Sequence, residues 1–435
     1  MIISPIKKCR GCGNPDLVPI GSLGTMAFSG IFPKKDEAFV PEGPLELMKC
    51  HGDPDRVCGL LQLKHSFDPH ILFGESYGYR SGLNGSMREH LQDIARKIKG
   101  FVTLKEKDVI VDIGSNDGTL LSFFSGEKLS LWGVDPTAGQ FKKYYSEDVQ
   151  ILPELFSGKL IKKSLGVKKA KVVTAIAVFY DLDAPAEFLK EVREILSDDG
   201  VCVLEQSYLP LLLENLAYDT ICHEHMAYYR LKQIRWLADR VGLKIIHCEK
   251  NQVNGGSFCV ALAQRNSAFS EDSGTVSQFI EEEKRLSLDT LSPFKSFFDN
   301  IFKHRKALQR TVKTLRADRK CVLGYGASTK GNVLLQFCGF TPEDIPFVAD
   351  VNEDKWGRVC PGTKIPIISE EEARSKKPDV FFVLPWHFKE GFLIKEKKYL
   401  RDGGAFLFPL PKVDLIGLKQ IDFPPIYSPA ASLVT

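Results

Sequence analysis

The fold class is indicated most directly by one segment, Val109-Ile-Val-Asp-Ile-Gly-Ser-Asn-Asp-Gly-Thr119. An apolar run that ends in a glycine turn is typical of the first strand of an open parallel sheet, which binds its ligand beyond the carboxyl end of the strand. A dinucleotide site would carry G-x-G-x-x-G, whose second glycine lets the backbone approach a pyrophosphate. Here Asn116 stands in place of that second glycine. Asp112 and Asp117 add negative charge that would repel a pyrophosphate.

These acidic side chains suit a ligand that carries an ammonium and a sulfonium group, and S-adenosylmethionine is such a ligand. Asp135 ends the next predicted strand, where a carboxylate can accept hydrogen bonds from both ribose hydroxyls. The two signals together predict a class I methyltransferase fold; a tight strand–helix turn without a ligand is the alternative. The residues predicted to bind the cofactor are Asp112, Gly114, Ser115, Asn116, Asp117, Gly118 and Asp135.

Length and charge limit the class of protein. At roughly 150 residues per domain, 435 residues suggest about three domains. With 58 Lys and Arg against 55 Asp and Glu, the net charge of +3 gives no reason to expect a nucleic-acid or anionic-membrane partner. No apolar run approaches the ~18 residues that span a bilayer, and the first residues reach a proline and charges before any stretch of signal-peptide length. We therefore expect a soluble, cytoplasmic protein, and the sequence leaves its oligomeric state open.

The sequence pattern divides the chain into three predicted domains, 1–87, 88–265 and 266–435. The first is rich in glycine, proline and short segments, and a small unit of this kind commonly needs a metal for stability. The second alternates helices and strands, which predicts a parallel sheet covered on both faces. The third is predicted to join a helical linker, interrupted at Pro293, to a second Rossmann-like α/β unit. The predicted helices lie at 89–99, 186–196, 271–320 and from Lys330 onward, and the predicted strands at 108–113, 129–134, 171–175, 200–205, 321–325, 346–349, 380–384 and 404–408.

Four of the eleven cysteines lie within the first 58 residues: Cys9, Cys12, Cys50 and Cys58. Cys9-Arg-Gly-Cys12 is a C-x2-C knuckle, and two further thiolates complete a tetrahedral zinc site with no open position for chemistry. The second pair is spaced more widely than the usual two to four residues, so His51 is a substitute ligand. We predict a structural zinc; four unrelated reduced thiols are the alternative.

A dense polar segment, Cys222-His-Glu-His-Met-Ala-Tyr-Tyr229, follows an apolar helix-like stretch. Histidine titrates near neutrality and is the natural base for removing a proton from carbon next to a carbonyl group. Two histidines around a glutamate could instead bind a metal, but no third and fourth ligands stand at matching spacing. Asn254-Gly-Gly-Ser257 is a second polar turn that we place at the same cleft, with a plain hairpin turn as the alternative.

The order of these motifs resembles that of the sugar C-methyltransferases that act on nucleotide-linked 4-keto-deoxy sugars. The resemblance covers nearly the full length and implies an N-terminal zinc domain, a central S-adenosylmethionine domain and a C-terminal Rossmann-like domain that helps to hold the sugar nucleotide. Beside the motifs above, it rests on Tyr77-Gly-Tyr-Arg-Ser-Gly-Leu-Asn84, Glu205-Gln-Ser-Tyr208 and Gly324-Tyr-Gly-Ala-Ser-Thr-Lys-Gly-Asn332.

The same resemblance implies a mechanism. His225 matches the family's base, which removes the C3 proton that the 4-keto group acidifies and gives an enediolate whose C3 attacks the sulfonium methyl. Glu224 would orient the site or stabilise charge, and His223 would be structural. The chain departs from the family at Cys222, where some members carry a tyrosine. Any helper role of that phenol is therefore absent here, or Tyr228 or Tyr229 supplies it.

The resemblance also places the sugar nucleotide. Ser328 and Lys330, with backbone amides at the start of a helix, would hold the diphosphate; a structural Rossmann copy is the alternative. Tyr77 and Tyr79 would stack on the sugar or the base, or else pack in the core. Trp386-His387 is a further candidate. The predicted substrate residues are thus Tyr77, Tyr79, Asn254, Ser328, Lys330 and Asn332.

The sequence therefore predicts an S-adenosylmethionine-dependent enzyme that methylates C3 of a dTDP- or GDP-linked 4-keto-6-deoxy sugar in the biosynthesis of a branched-chain deoxysugar. Three alternatives stay open. One is an O-methyltransferase acting on a sugar or small-molecule hydroxyl, another a non-catalytic scaffold that keeps the cofactor fold, and the last an NAD-linked oxidoreductase that uses the Gly324 turn.

Overall fold

The computed structural model describes residues 2–36, 40–74 and 77–417. Its strands are β1 (Ile3–Pro5), β2 (Leu17–Ala27), β3 (Glu42–Cys50), β4 (Leu61–Leu63), β5 (His65–Phe67), β6 (Val109–Ile113), β7 (Ser130–Val134), β8 (Val149–Leu152), β9 (Ala170–Ile176), β10 (Leu196–Ser207), β11 (Ala227–Tyr228), β12 (Leu243–Asn251), β13 (Ser257–Gln264), β14 (Val322–Tyr325), β15 (Val348–Asp350), β16 (Ile367–Ser369), β17 (Val380–Val383), β18 (Ala405–Phe408) and β19 (Asp414–Gly417). Its α-helices are α1 (Pro69–Leu72), α2 (Gly85–Phe101), α3 (Thr119–Ser122), α4 (Gly158–Leu165), α5 (Pro185–Ile195), α6 (Leu209–Glu214), α7 (Leu231–Val241), α8 (Ser273–Arg285), α9 (Ser292–Ala317), α10 (Thr329–Cys338), α11 (Glu370–Ser375), α12 (Lys389–Lys395) and α13 (Lys397–Arg401).

The N-terminal sheet takes one of its strands from the middle of the chain. Its four antiparallel strands run in the order β11-β4-β3-β2, and β1 pairs separately with β5. The strand β11 follows the His-Glu-His segment directly in sequence. The segment predicted to carry the base is therefore attached to the zinc-site domain through backbone hydrogen bonds.

The central sheet has seven strands in the order β12-β13-β10-β9-β6-β7-β8. Its strands are parallel except β13, which runs antiparallel to β10 and β12. Every residue of β6 is buried, as expected for a parallel strand covered by helices on both faces. The predicted class I methyltransferase fold is thus confirmed.

The C-terminal sheet has six strands in the order β16-β15-β14-β17-β18-β19, and only its edge strand β19 is antiparallel to its neighbour. The predicted second α/β unit is also confirmed. Pro293 lies in the first turn of α9, where its missing N–H leaves no hydrogen bond unmade. The chain bends just before it, between α8 and α9.

The long helix α9 joins the C-terminal unit to the N-terminal sheet. Phe298 packs so closely on Gly21 of β2 that a Cβ at Gly21 would lie 2.5 Å from the ring. The buried face of α9 also includes Phe294 and Ile301. Within the described ranges, no helix combines the length and the apolar composition that crossing a bilayer requires.

Candidate active site

A cavity of about 510 Å³ lies where the three parts of the chain meet. The carboxyl ends of β6, β7 and β9 form one wall, where an open parallel sheet normally binds its ligand. The segment at 77–84 and the start of α10 close the other sides. The cavity therefore brings together residues predicted for the cofactor, for the base and for the sugar nucleotide.

The glycine turn after β6 positions the acidic group at the end of β7. Gly114 has φ +71°, and a Cβ there would lie 2.3 Å from Val178, so the turn requires glycine. Asp135 Oδ2 accepts a hydrogen bond of 2.9 Å from the Asn116 N–H, and its Oδ1 accepts bonds of 2.6 Å from the N–H and hydroxyl of Thr137. These bonds fix the carboxylate, which keeps lone pairs for ribose hydroxyls.

Asp112 is a second buried carboxyl at the edge of the cavity. The Thr174 hydroxyl donates a hydrogen bond of 2.6 Å to Asp112 Oδ1. Burial raises the pKa of Asp112 to about 7, Thr174 opposes the shift, and the charge of Asp135 adds to it. A bound cation would lower this pKa again, so the site favours a positively charged ligand.

Residues 79–82, which we call the strap, are held in place by the side chains of two predicted cofactor residues. Asn116 Oδ1 accepts from the Ser81 N–H at 2.9 Å and its amide donates to the Tyr79 carbonyl at 3.2 Å. Asp117 Oδ2 accepts from the Gly82 N–H at 2.9 Å. The sequence pattern predicts these side chains at the cofactor, whereas in the structure they bind the strap.

The strap has a further anchor in Arg80. Its Nε donates to Asp117 Oδ2 at 3.2 Å, and its guanidinium lies 3.7 Å from the centroid of the Tyr144 ring. Among the described residues, Asp117 and Gly118 lie outside the cavity lining, whereas Gly114, Ser115 and Asn116 form part of it. The glycine turn thus contacts the cavity mainly with its first half.

His225 lies on the cavity wall as a neutral imidazole. Its Nδ1 is 2.8 Å from the Thr220 carbonyl oxygen, which can only accept, so Nδ1 carries the proton and Nε2 is the basic nitrogen. Burial lowers the pKa of His225 to about 3, and the Lys330 ammonium contributes. The ring packs on Tyr180, with centroids 4.1 Å apart. The side chain is therefore ready to accept a proton near pH 7.

Glu224 is a buried carboxyl beside this base. Both of its oxygens are shielded from solvent, with the Cys222 thiol and the Gly30 N–H beside them; Asp181 Oδ1 has no hydrogen-bond partner among the described side chains and backbone groups. Burial raises the pKa of both carboxyls, and for Asp181 the charge of Glu224 adds to the effect. A Cβ on Gly30 would lie 2.3 Å from Glu224 Oε1, so Glu224 packs directly against the Gly30 backbone. Burial thus shifts Glu224 towards its protonated form, and a protonated carboxyl can donate a hydrogen bond to a ligand oxygen.

His223 has a different environment from His225. Its Nε2 lies 3.0 Å from the Gly43 carbonyl oxygen, and its ring packs against Phe28 and Phe67 at centroid distances of 4.6 and 4.9 Å. Burial lowers its pKa to about 4. As far as the described residues define the cavity, His223 is not part of its lining. His223 thus connects the His-Glu-His segment to the N-terminal sheet.

The phenol next to the base comes from Tyr180. Tyr228 and Tyr229, the sequence candidates, are buried outside the cavity lining in the described part of the chain. Tyr180 and Asp181 follow β9 directly, in the turn Phe179–Asp181. Their position after a strand of the parallel sheet was the sequence signal that could have identified them.

Most of the predicted substrate residues meet at the cavity. Lys330 Nζ donates to the Asn254 carbonyl at 2.7 Å, and Ser328 caps α10 by accepting from the Gly331 N–H at 3.0 Å. Tyr77 and Tyr79 line the cavity beside the strap, and so does His387.

Asn332 lies apart from these residues. Its amide donates to the Ser29 carbonyl at 2.7 Å, and the side chain is fully buried. It lies outside the lining that the described residues form. In this position Asn332 joins α10 to the N-terminal part of the chain.

The four N-terminal cysteines converge on one point. Their sulfur atoms all lie within 4.8 Å of one another, with Cys9 and Cys58 Sγ 3.5 Å apart and Cys12 and Cys50 Sγ 3.6 Å apart. Zn–S bonds of about 2.3 Å in a tetrahedron place the sulfurs about 3.8 Å apart, so the geometry fits a zinc ion. His51 is exposed and not needed as a ligand.

Comparisons with known proteins agree with this architecture. Residues 9–73 match a zinc binding domain family, residues 86–248 a methyltransferase domain family and residues 252–411 the family described as C-methyltransferase C-terminal domain. C-methyltransferase NovU of Streptomyces niveus is 31% identical over 424 residues, which cover 96% of this chain and 99% of NovU.

Solved methyltransferases resemble part of the chain. The plantazolicin methyltransferase BamL, solved with SAH, is 12% identical with a TM-score of 0.34 and covers 42% of this chain and 87% of its own. CcbJ of Streptomyces caelestis is 12% identical with a TM-score of 0.31 and covers 40% of this chain and 89% of its own. On the full-length match to NovU and the three domain matches, the chain belongs to the family of S-adenosylmethionine-dependent C-methyltransferases that carry an N-terminal zinc-binding domain and a C-terminal C-methyltransferase domain.

Proposed function

We propose that this C-methyltransferase adds a methyl group to C3 of a dTDP- or GDP-linked 4-keto-6-deoxy sugar, in the biosynthesis of a branched-chain deoxysugar. The observation that carries the proposal is His225, a neutral imidazole on the cavity wall whose Nδ1 is fixed by the Thr220 carbonyl. The unprotonated Nε2 of such an imidazole is free to accept a proton from carbon at neutral pH. The resemblance of the motifs to sugar C-methyltransferases supplies the substrate class.

The reaction starts at the basic nitrogen of His225. Nε2 takes the C3 proton, and the electron pair of the broken C–H bond moves through C3–C4 onto the 4-keto oxygen. Bound S-adenosylmethionine supplies the methyl group, which C3 takes from sulfur while the sulfur keeps the bonding pair. Glu224, in its protonated form, donates a hydrogen bond to the developing oxyanion and thereby stabilises it.

The charge that develops during the reaction assists the base. His225 has a low pKa in the free enzyme because burial and Lys330 disfavour its cationic form. An enediolate beside the ring would favour the imidazolium, because an opposite charge raises the pKa of a histidine. The base therefore gains strength as the proton moves.

The remaining residues bind the two substrates. We assign Asp135 to the ribose of S-adenosylmethionine and Asp112 to its cationic part. The backbone from Gly114 to Asn116, which lines the cavity, would lie against the cofactor. The start of α10, with Ser328 and Lys330, suits a diphosphate, because a helix N-terminus and an ammonium both attract anions. Tyr77 and Tyr79 would stack on the sugar or base, and Asn254 positions Lys330 through its carbonyl.

Exchange in heavy water tests the base assignment before any methyl is transferred. The enzyme is incubated with dTDP- or GDP-4-keto-6-deoxyhexose in D2O without methyl donor, and incorporation of deuterium at C3 is measured by mass spectrometry. His225→Gln should stop exchange and methylation yet bind S-adenosylmethionine as the wild type does. The matched control is His51→Gln, which changes an exposed histidine that does not line the cavity in the described part of the chain.

Three results would contradict the proposal. Full activity of His225→Gln would exclude His225 as the base. Methylation of a hydroxyl without C3 exchange would favour O-methylation instead. If neither sugar nucleotide reacts while S-adenosylmethionine binds, the assigned substrate class is wrong.

A further inference from the structure

We propose that Arg10, from the zinc knuckle, is a positioning residue for the His225 base. This inference rests on the proposed function only in taking His225 as the base. Arg10 lies in the loop between Cys9 and Cys12, and its side chain is 2% exposed. It does not contact His225 and acts through the two segments that flank the ring.

The guanidinium group of Arg10 donates hydrogen bonds to several acceptors at once. Nη1 donates to the Leu63 carbonyl at 2.5 Å, and Nη2 donates to the His65 carbonyl at 2.9 Å and to Ser66 Oγ at 3.0 Å. Nε donates to Asp183 Oδ1 at 2.9 Å. A planar group with five N–H donors can bind all these acceptors, whereas a lysine ammonium cannot.

One flanking segment follows His225 in sequence. The Met226 carbonyl accepts from the Leu63 N–H at 2.9 Å, and β11 continues this pairing against β4. Arg10 Nη2 also lies 3.8 Å from Met226 Sδ. Arg10 therefore fixes the end of β4, and β4 fixes the backbone next to the base.

The other flanking segment is the turn after β9. Asp183 receives the Arg10 Nε hydrogen bond and a second bond from Ser66 Oγ at 2.5 Å. Tyr180, three residues earlier, packs on the His225 ring. Arg10 thus joins the segment that fixes the backbone after His225 to the segment whose Tyr180 packs on the imidazole ring, although the two belong to different sheets.

The backbone of Arg10 is itself fixed by the knuckle. The Cys9 N–H donates to the Asn14 carbonyl and the Gly13 N–H donates to the Cys9 carbonyl, both at 2.8 Å. The four converging thiols hold the same turn. Loss of the Arg10 side chain would leave the Leu63 and His65 carbonyls without these donors, so the segments would shift. A displacement of about 1 Å at a reacting group can cost roughly 100-fold in rate.

The test compares Arg10→Met and Arg10→Lys with the wild type. The control is Arg56→Met, which removes an 85% exposed arginine of the same domain that forms an ion pair with Asp53. For each protein we would measure kcat, both KM values, the rate of C3–H exchange, the zinc content, and the stoichiometry of S-adenosylmethionine binding by calorimetry. Stoichiometry reports the folded fraction, which a purely structural defect would reduce.

We expect Arg10→Met to lower kcat and C3 exchange together by about 10- to 100-fold, with stoichiometry intact and KM changed less than about threefold. Arg10→Lys should recover part of the loss, and Arg56→Met should behave as the wild type. A kcat within about twofold of wild type, or a loss that follows a fall in binding stoichiometry, would overturn the proposal.

A second variant keeps the test decisive if Arg10→Met does not fold. Asp183→Ala removes one acceptor that is half exposed, so the fold should survive, and exchange should fall by a smaller factor than in Arg10→Met. Unchanged exchange in Asp183→Ala would contradict the positioning role. Failure of the proposed function would look different, because the wild type itself would then show no C3 exchange.

Discussion

Acidifying the reaction from pH 7.5 to pH 5 should leave the active fraction of His225 almost unchanged. Burial and the Lys330 ammonium lower its pKa to about 3. A base is lost as the pH falls through its pKa, because the protonated form cannot accept another proton. The acidic limb of kcat/KM should therefore lie near pH 3 and not near the ordinary histidine pKa of about 6.5.

The size of the effect follows from the two pKa values. At pH 5 a histidine with a pKa of about 6.5 is only about 3% unprotonated, whereas one with a pKa of about 3 is ~99% unprotonated, so the expected rates differ by about 30-fold. Asp112 also titrates between pH 5 and pH 7.5, because burial raises its pKa to about 7. Its protonation would affect cofactor binding, so S-adenosylmethionine must be saturating at every pH.

The assay is kcat/KM for the sugar nucleotide, which reports groups of the enzyme before this substrate binds. Circular dichroism at each pH confirms that the protein is folded. A fall of about 30-fold between pH 7.5 and pH 5 with an apparent pKa near 6.5 would refute a buried, neutral His225.

Three further variants test other parts of the site. Cys12→Ser should reduce bound zinc and lower Tm, because a zinc site of four thiolates contributes folding energy; full zinc content by metal analysis would contradict it. Gly30→Ala places a methyl 2.3 Å from Glu224 Oε1 and should lower kcat at least about tenfold. Gly85→Ala is the control, because a Cβ there meets nothing within 4 Å, and its kcat should be unchanged. Asp117→Ala loses charge-assisted bonds worth about 1.5–3 kcal/mol to the strap and should raise the Kd for S-adenosylmethionine about tenfold or more by calorimetry; an unchanged Kd would show that the strap does not influence the cofactor.

Local sequence patterns were sufficient where a structure depends on neighbours in the chain. The buried apolar run of β6 and the glycine turn after it predicted the central sheet, because a parallel strand and its turn are encoded within about ten residues. Cys9 and Cys12 indicated the zinc site, since a C-x2-C knuckle restricts two thiols to one side of a turn. The distant pair converges on them despite its wide spacing.

The rest depends on contacts between parts that are far apart in sequence. No local sequence pattern predicts that β11 pairs with β4, so the sequence did not reveal that the base is attached to the zinc-site domain. Asn116 and Asp117 are polar residues in a cofactor motif, yet their side chains hold the strap. Asn332 follows a glycine turn but contacts Ser29, about three hundred residues earlier in the chain. Such pairings are determined by how the domains pack.

One NMR measurement decides whether the transferred methyl group is bonded to carbon or to oxygen. The sugar nucleotide is prepared with 13C in its ring, and the reaction is run with S-adenosylmethionine that carries a 13C methyl group. We predict a one-bond 13C–13C coupling between the transferred methyl and C3. A transferred methyl that shows no one-bond coupling to any ring carbon, because oxygen lies between them, would contradict the account.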